Sequence, residues 1–402
     1  MAAHDSIDGA GHPLAFKVRQ GRRADCVANA APAREVYRVE ARRLDAHQKE
    51  LIVAEGARGS AWRLTSDEGP NLKGTDLAPF PLAYWNAAMQ ADYVNRLRHL
   101  ARARGVRLAI ERIDLANQYW FSGSFFRGTG QGTAEPAEVR IALASDAAPR
   151  VVAALLDEAL AASPVHAAFA VPLVNTFALY VNGRRVPVTR VASSAQPDER
   201  DPFKAHGGAP QPLAGSADLQ PVVLRLPMDP AEGPPKVIPP EGRIPIPIGG
   251  HGAPVVPEGV YAATALPAGP GSRFRILADE RPDAEGAPSA LAYAAAGIAF
   301  CYMTQLARYI EHRGHRVRAL RMVQTLPFTL AGDAAAGTLR GGVEPVDTHV
   351  FLHGEEPDAV MQNLLEVAEN TCYLHAALRS ALPSRVAATL NGAPLSNQGV
   401  TR

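Results

Sequence analysis

Leu291-Ala292-Tyr293 opens a segment that continues through Ala295-Ala296-Gly297-Ile298-Ala299-Phe300-Cys301-Tyr302-Met303, and Leu82-Ala83-Tyr84 opens a second one 209 residues upstream. The same offset of 209 pairs Leu97 with Leu306, Arg104-Gly105 with Arg313-Gly314, Gly128-Thr129 with Gly337-Thr338, and His166-Ala167-Ala168 with His375-Ala376-Ala377. Upstream, Trp62-Arg63-Leu64 and Asp67-Glu68 match Phe274-Arg275-Ile276 and Asp279-Glu280 at an offset of 212. Register held over so long a stretch marks an internal duplication, which organises everything else in the chain.

Both copies read alike. Apolar residues at helical spacing, Leu82, Trp85, Met89, Val94, Leu97 and Leu100 in the first, predict a long helix over 82–104 and its twin over 291–313. Gly105 and Gly314 stand where a left-handed residue ends a helix after a basic last turn. Two strand candidates follow in each copy, 108–113 with 118–126 and 317–322 with 325–330. A third strand, a second helix and a short last strand running into Asn182-Gly183 or Asn391-Gly392 complete the unit. The predicted fold is therefore α+β: copy 1 over 1–190, a Pro/Gly-rich linker over 191–259, and copy 2 over 260–402. Proline density in that linker, as in Ile244-Pro245-Ile246-Pro247-Ile248, argues against helix and central strand, with Val222 to Leu226 available as an edge strand.

Bulk properties narrow the function. The chain has 402 residues, 47% of them hydrophobic, and a net charge of +1, so no overall field favours nucleic acid or an anionic membrane. The N-terminus lacks a basic stretch followed by an apolar run, and no window reads as a membrane span of about 18 residues, which predicts a cytoplasmic protein. Cys26, Cys301 and Cys372 are too few and too scattered for a disulfide framework. His349 and His353 do not form a recognised metal signature with Cys372, and His251 between glycines reads as a loop histidine. No metal or cofactor is expected.

Asp279-Glu280, the Ala-rich run ending in Cys301-Tyr302-Met303, and Glu369-Asn370-Thr371-Cys372-Tyr373-Leu374 together resemble the osmotically inducible protein C and organic hydroperoxide resistance (OsmC/Ohr) family. The likeness runs from Ser272 to about Leu395, and more weakly from Ser60 to Val186. It implies long central helices packed on mixed or antiparallel sheets, normally in an intertwined homodimer. A duplicated chain then forms both halves as an intramolecular pseudo-dimer, alone or paired again. The resemblance also implies thiol chemistry: Cys301 attacks a peroxide, Cys372 resolves the sulfenic acid, and an external thiol or dihydrolipoyl donor reopens the disulfide. Its partner is a small-molecule substrate.

In copy 1 the matching positions are Asp92 and Ser163, so only copy 2 keeps the pair. Leu291 stands where the family usually has a glutamate. The substitutes available by sequence are Glu280 and Asp279 among carboxylates, and Arg275 and Arg273 among cations, with Arg63, Arg22 and Arg23 reachable only across interlocked halves. His375, one helical turn past Cys372, is a candidate thiolate partner, although His166 holds the same place in the thiol-free copy. The candidate catalytic set is thus Cys301, Cys372, Arg275, His375 and Glu280. Left open are a cysteine-dependent enzyme acting on a non-peroxide electrophile and a non-catalytic binding or sensing protein.

Overall fold

The computed structural model describes residues 5–18, 34–56, 58–206, 210–213, 221–229, 231–234, 236–281 and 286–395. Cys26, Arg22 and Arg23 lie outside them. Two long helices, Pro81–Ala103 and Ala290–Arg313, form the centre of an α+β fold, and two mixed sheets enclose them. The first helix starts with Pro81 at its first turn, where a missing N–H costs nothing, and gives way at Gly105, whose φ is 63°. Ser289 caps the second by accepting a hydrogen bond from the Ala292 N–H, and Gly314 ends it in the left-handed region at φ 63°.

Contrary to the reading of hydropathy along the chain, the second helix carries an 18-residue window apolar enough to cross a membrane, and all of that window is buried within the protein. A helix apolar on every side needs enclosure on every side. The first long helix supplies part of that cover, and Gly297 sets how close it comes. A Cβ there would lie 3.0 Å from the Trp85 backbone nitrogen.

Each sheet draws on both copies. In the first, Arg34–Arg43, Lys49–Ala54 and Ala61–Ser66 form an antiparallel set. Arg34–Arg43 then pairs with Val317–Ala331 of copy 2, and Asp347–Gly354 of copy 2 pairs in parallel with Thr176–Val181 of copy 1. The second sheet repeats this with the copies exchanged: Arg243–Val255 pairs with Ala109–Ser122, and Glu138–Ala144 pairs in parallel with Arg385–Leu390. The two strand candidates expected in each copy are one continuous strand, bent by a register shift near Ile110/Arg112 and near Val317/Ala319. Both Asn-Gly pairs turn as expected, with φ of 51° at Asn182 and Asn391 and of 82° and 80° at the glycines.

The expected linker 191–259 needs correction. Val223–Leu226 does form an edge strand, on Arg273–Asp279. Arg243–Val255, however, is an interior strand despite three prolines. It pairs with Ala109–Ser122 over residues 243–252 and with Val260–Leu266 over 249–255. Pro245, Pro247 and Pro254 all fall where only one side is paired, so a missing N–H can face away from the ladder. The section paired on both sides is Gly249-Gly250-His251-Gly252, and it lies against the first long helix so closely that a Cβ on Gly250 would sit 1.9 Å from Asn86 Oδ1.

Candidate thiol site

Cys301 lies midway along the second long helix, and Cys372 is the joint between helices Asp358–Thr371 and Tyr373–Leu378. Packing of those helices brings the two Sγ atoms to 3.3 Å, both as free thiols. A disulfide bond is about 2.05 Å long, so a small side-chain movement closes it. His375 belongs to the same group: its Nδ1 is 3.2 Å from Cys372 Sγ, and Tyr302 and Phe177 flank its ring.

Electrostatics favour uncharged forms in this inner layer. Burial pushes His375 down to about 3, so the imidazole is neutral at physiological pH. Burial, and next the neighbouring Cys301, hold the Cys372 thiol well above its ordinary value, while the backbone N–H groups of His375 and Leu374 pull the other way. Tyr119 is also enclosed here, with its hydroxyl buried and without a hydrogen-bond partner among the described residues. Burial, then the two nearby sulfurs, raise its pKa well above the usual tyrosine value.

Cys301, but not Cys372, lines a cavity of about 300 Å³. Its walls are largely apolar: Leu82, Phe121 and Phe125 from copy 1, Ile244, Ile246 and Ile248 from the interior strand, the turn Pro267 to Gly271, and Tyr373. Its polar residues include Glu68, Thr304, Gln305 and Arg308. Glu68 Oε1 accepts from Thr304 Oγ1 at 2.6 Å and from Lys49 Nζ at 3.2 Å, and Lys49 also donates to Thr304 Oγ1 at 2.7 Å. Arg308 stands over the Phe125 ring at 4.7 Å and donates to Gln305.

Two of the expected residues are elsewhere. Glu280 accepts from the Ala290 N–H at 2.6 Å and pairs with Arg58 at 3.4 Å, and its electrostatic neighbours are Arg96 and Asp92. It therefore sits at the copy 1 counterpart of the thiol site, and its twin Glu68 takes the place beside Thr304 and the cavity. The reason is the strand exchange, which places the Asp-Glu segment of each copy against the long helix of the other. Arg275 lies between Phe274 and Ile276, which face the core, so strand alternation turns it to the sheet's other face, opposite Leu224 and Thr264. Arg63, its twin, is spent on Glu50 and the Pro13 carbonyl, and Arg273 pairs with Glu232 and the Pro227 carbonyl.

His349 contacts Asp347 and Tyr180, and His353 contacts Asp201. His251 is part of the interior strand, facing Glu232 at 3.6 Å. Lys49, Thr304, Arg308 and Tyr119 gave no sign in the sequence. Glu68 did, as the residue 212 positions before Glu280 in a chain expected to interlock.

The family model described as OsmC-like protein matches residues 282–387. No curated protein matches the sequence. A crystal structure of an OsmC-like hydroperoxide resistance protein from Jannaschia sp. CCS1 is 21% identical, with 37% of this chain and 97% of that one covered, at a TM-score of 0.26, a likeness that bears no argument. Cys301, Cys372 and His375 all fall within the family match, and residues 282–387 are an OsmC-like domain.

Proposed function

We propose that the protein reduces organic hydroperoxides with Cys301 as the attacking thiol and Cys372 as the resolving thiol, in a chain whose two copies act as the halves of a pseudo-dimer. The thiolate of Cys301 attacks the hydroxyl oxygen of the hydroperoxide, an S–O bond forms, and the O–O bond breaks. The alkoxide leaves and takes up the proton that the Cys301 thiol gave. Cys372 then attacks the sulfenic sulfur, hydroxide departs, and the Cys372 proton completes a water molecule. One hydroperoxide and two thiols thus yield an alcohol, water and a disulfide, which an external dithiol of the dihydrolipoyl class or a small thiol reduces.

One observation carries this reading. The two sulfurs are 3.3 Å apart, and Cys301 alone of the two is on the cavity wall. That order suits an outer nucleophile with a resolving thiol behind it, and it favours a reactive pair over two small apolar side chains. A low-dielectric, largely apolar cavity also fits a substrate with a hydrocarbon portion.

Turnover of cumene hydroperoxide with a dithiol, and intact mass after a single equivalent of peroxide, test the proposal. Cys301→Ser is expected to lower turnover on the order of 10³-fold or more. Wild type is expected to lose about two mass units on oxidation, the hydrogens of one disulfide. Cys372→Ser instead gains an oxygen on Cys301 and inactivates. Equal turnover in wild type and Cys301→Ser ends the proposal.

A further inference from the structure

Resting on that peroxidatic reading, we infer that Glu68, brought from copy 1, is the acceptor that binds the O–H head of the substrate beside Cys301, with Lys49 and Thr304 as the residues that position it.

Glu68 is 5% exposed and belongs to the same cavity wall as Cys301 and Thr304. Both of its side-chain hydrogen bonds, from Thr304 and Lys49, end on Oε1. Oε2 has no partner among the described residues. A carboxylate oxygen left open at the wall of a mostly apolar cavity is a ready acceptor for a protic ligand, because hydrogen bonds to a charged acceptor are among the stronger ones. Lys49 is fully buried, its Nζ is committed to Glu68 and Thr304, and this pairing fixes the carboxylate and supplies its counter-charge.

Thr304 lies one turn beyond Cys301 on the same helix, so the bond from Thr304 ties Glu68 to the face that carries the thiol. A hydroperoxide suits this set of wall residues, offering an O–H for Glu68, an oxygen for Cys301 to attack, and an organic group for the apolar wall of Phe121, Ile246 and Tyr373. Carbon electrophiles without a hydroxyl gain nothing from Glu68. The acceptor therefore selects the class of electrophile.

The test compares two reagents on the full chain, cumene hydroperoxide and N-ethylmaleimide, by the rate of Cys301 modification. For Glu68→Gln the peroxide rate is expected to fall about tenfold to a hundredfold, the usual worth of a hydrogen bond to a charged group. The N-ethylmaleimide rate should not fall with it, because that reagent needs no acceptor and the uncompensated Lys49 charge favours the thiolate. If Glu68→Gln does not fold, the pair Lys49→Met with Glu68→Leu replaces the buried ion pair by apolar side chains, a change that cores often accept, and the same split is expected. Equal losses for both reagents mean a purely structural role, and unchanged rates for both mean no role; either result overturns the inference. The peroxidatic reading fails separately, if wild-type Cys301 itself does not react with peroxide.

Discussion

The repeat in sequence gives this chain two matching places, one on each long helix, and they are filled in opposite ways. At one, Cys301 faces Cys372 across 3.3 Å beside an apolar cavity. At the other, Asp92 accepts a 2.5 Å hydrogen bond from Ser163 and pairs with Arg96 at 3.0 Å. The loop that carries Glu55 and Arg58 closes over the second place, with Arg58 bonded to the Asp279 carbonyl and Glu55 bonded to the Ser289 N–H. Its counterpart over the first is the turn Pro267 to Gly271, which has no charged side chain and forms part of the cavity wall. Matching helix pairs are joined at the two places, by a thiol pair at one and by a carboxylate that accepts a serine hydrogen bond at the other. The difference teaches that the copy 1 place is more than a thiol site without thiols: it is a polar network in which Asp92 pairs with Arg96 and Arg58 with Glu280.

The network gives the first way to break the comparison. Asp92→Ala leaves the half-buried Arg96 with much of its counter-charge removed, although burial is the chief influence on that guanidinium and Asp92 and Glu280 together raise its pKa. Losing one partner of such a pair typically costs about 3–5 kcal/mol. Urea unfolding should show a loss of that order, while Cys372→Ala should leave stability far closer to wild type. A loss below about 1 kcal/mol for Asp92→Ala would mean that the charges are not a structural unit.

The paired histidines sharpen it further. His375, beside the thiols, is pushed to about 3 by burial, and its Nε2 is buried without a partner among the described residues. His166 is also lowered by burial, but its Nδ1 has the Tyr93 hydroxyl at 3.1 Å. In the unfolded chain a histidine titrates near 6.5, so below that pH the unfolded state takes up a proton that folded His375 refuses. Stability is then fully present above about pH 6.5 and declines as pH falls towards 3, by about 1.4 kcal/mol per unit for this group. His375→Phe should flatten the decline between pH 6 and 4 more than His166→Phe does, as followed by urea midpoints against pH. Equal slopes for the two variants would show that the thiol-side histidine is not the more deeply enclosed.

The smallest effect is expected where the helices cross. Gly297 meets the Trp85 backbone, whereas its twin on the other helix is Ala88. Gly297→Ala gains helix propensity of up to about 1 kcal/mol and loses about 1–3 kcal/mol to overpacking, so a net loss near 1 kcal/mol is expected in thermal or urea unfolding. A net gain would show that the helices can separate at no cost.

Much of this was legible along the chain, and what was not has definite causes. Helix ends at Gly105 and Gly314, the Asn-Gly turns and the strands Thr176–Val181 and Arg385–Leu390 follow from local chemistry, and they appear where expected. Arg243–Val255 was misjudged because proline is excluded by two-sided pairing, and whether pairing is two-sided at a given residue depends on strands more than a hundred positions away. Arg275 and Glu280 neighbour the site only along the sequence of their own copy. Strand alternation turned the first away, and the exchange of segments between copies sent the second to the Asp92 place and put Glu68 in its stead.

Sequence alone determined the repeat at a fixed offset, the two long helices with their glycine ends and the Asn-Gly turns, because periodicity, turn chemistry and an aligned repeat are properties of residues and their spacing. Tertiary structure decided that the thiols meet, that only Cys301 reaches the cavity, and that a lysine and a glutamate from the other copy complete its polar end. Those outcomes depend on which copy's strand lies beside which helix. Offsets within one chain cannot fix that choice, because the two exchange-related pairings have the same local pattern and only packing distinguishes them.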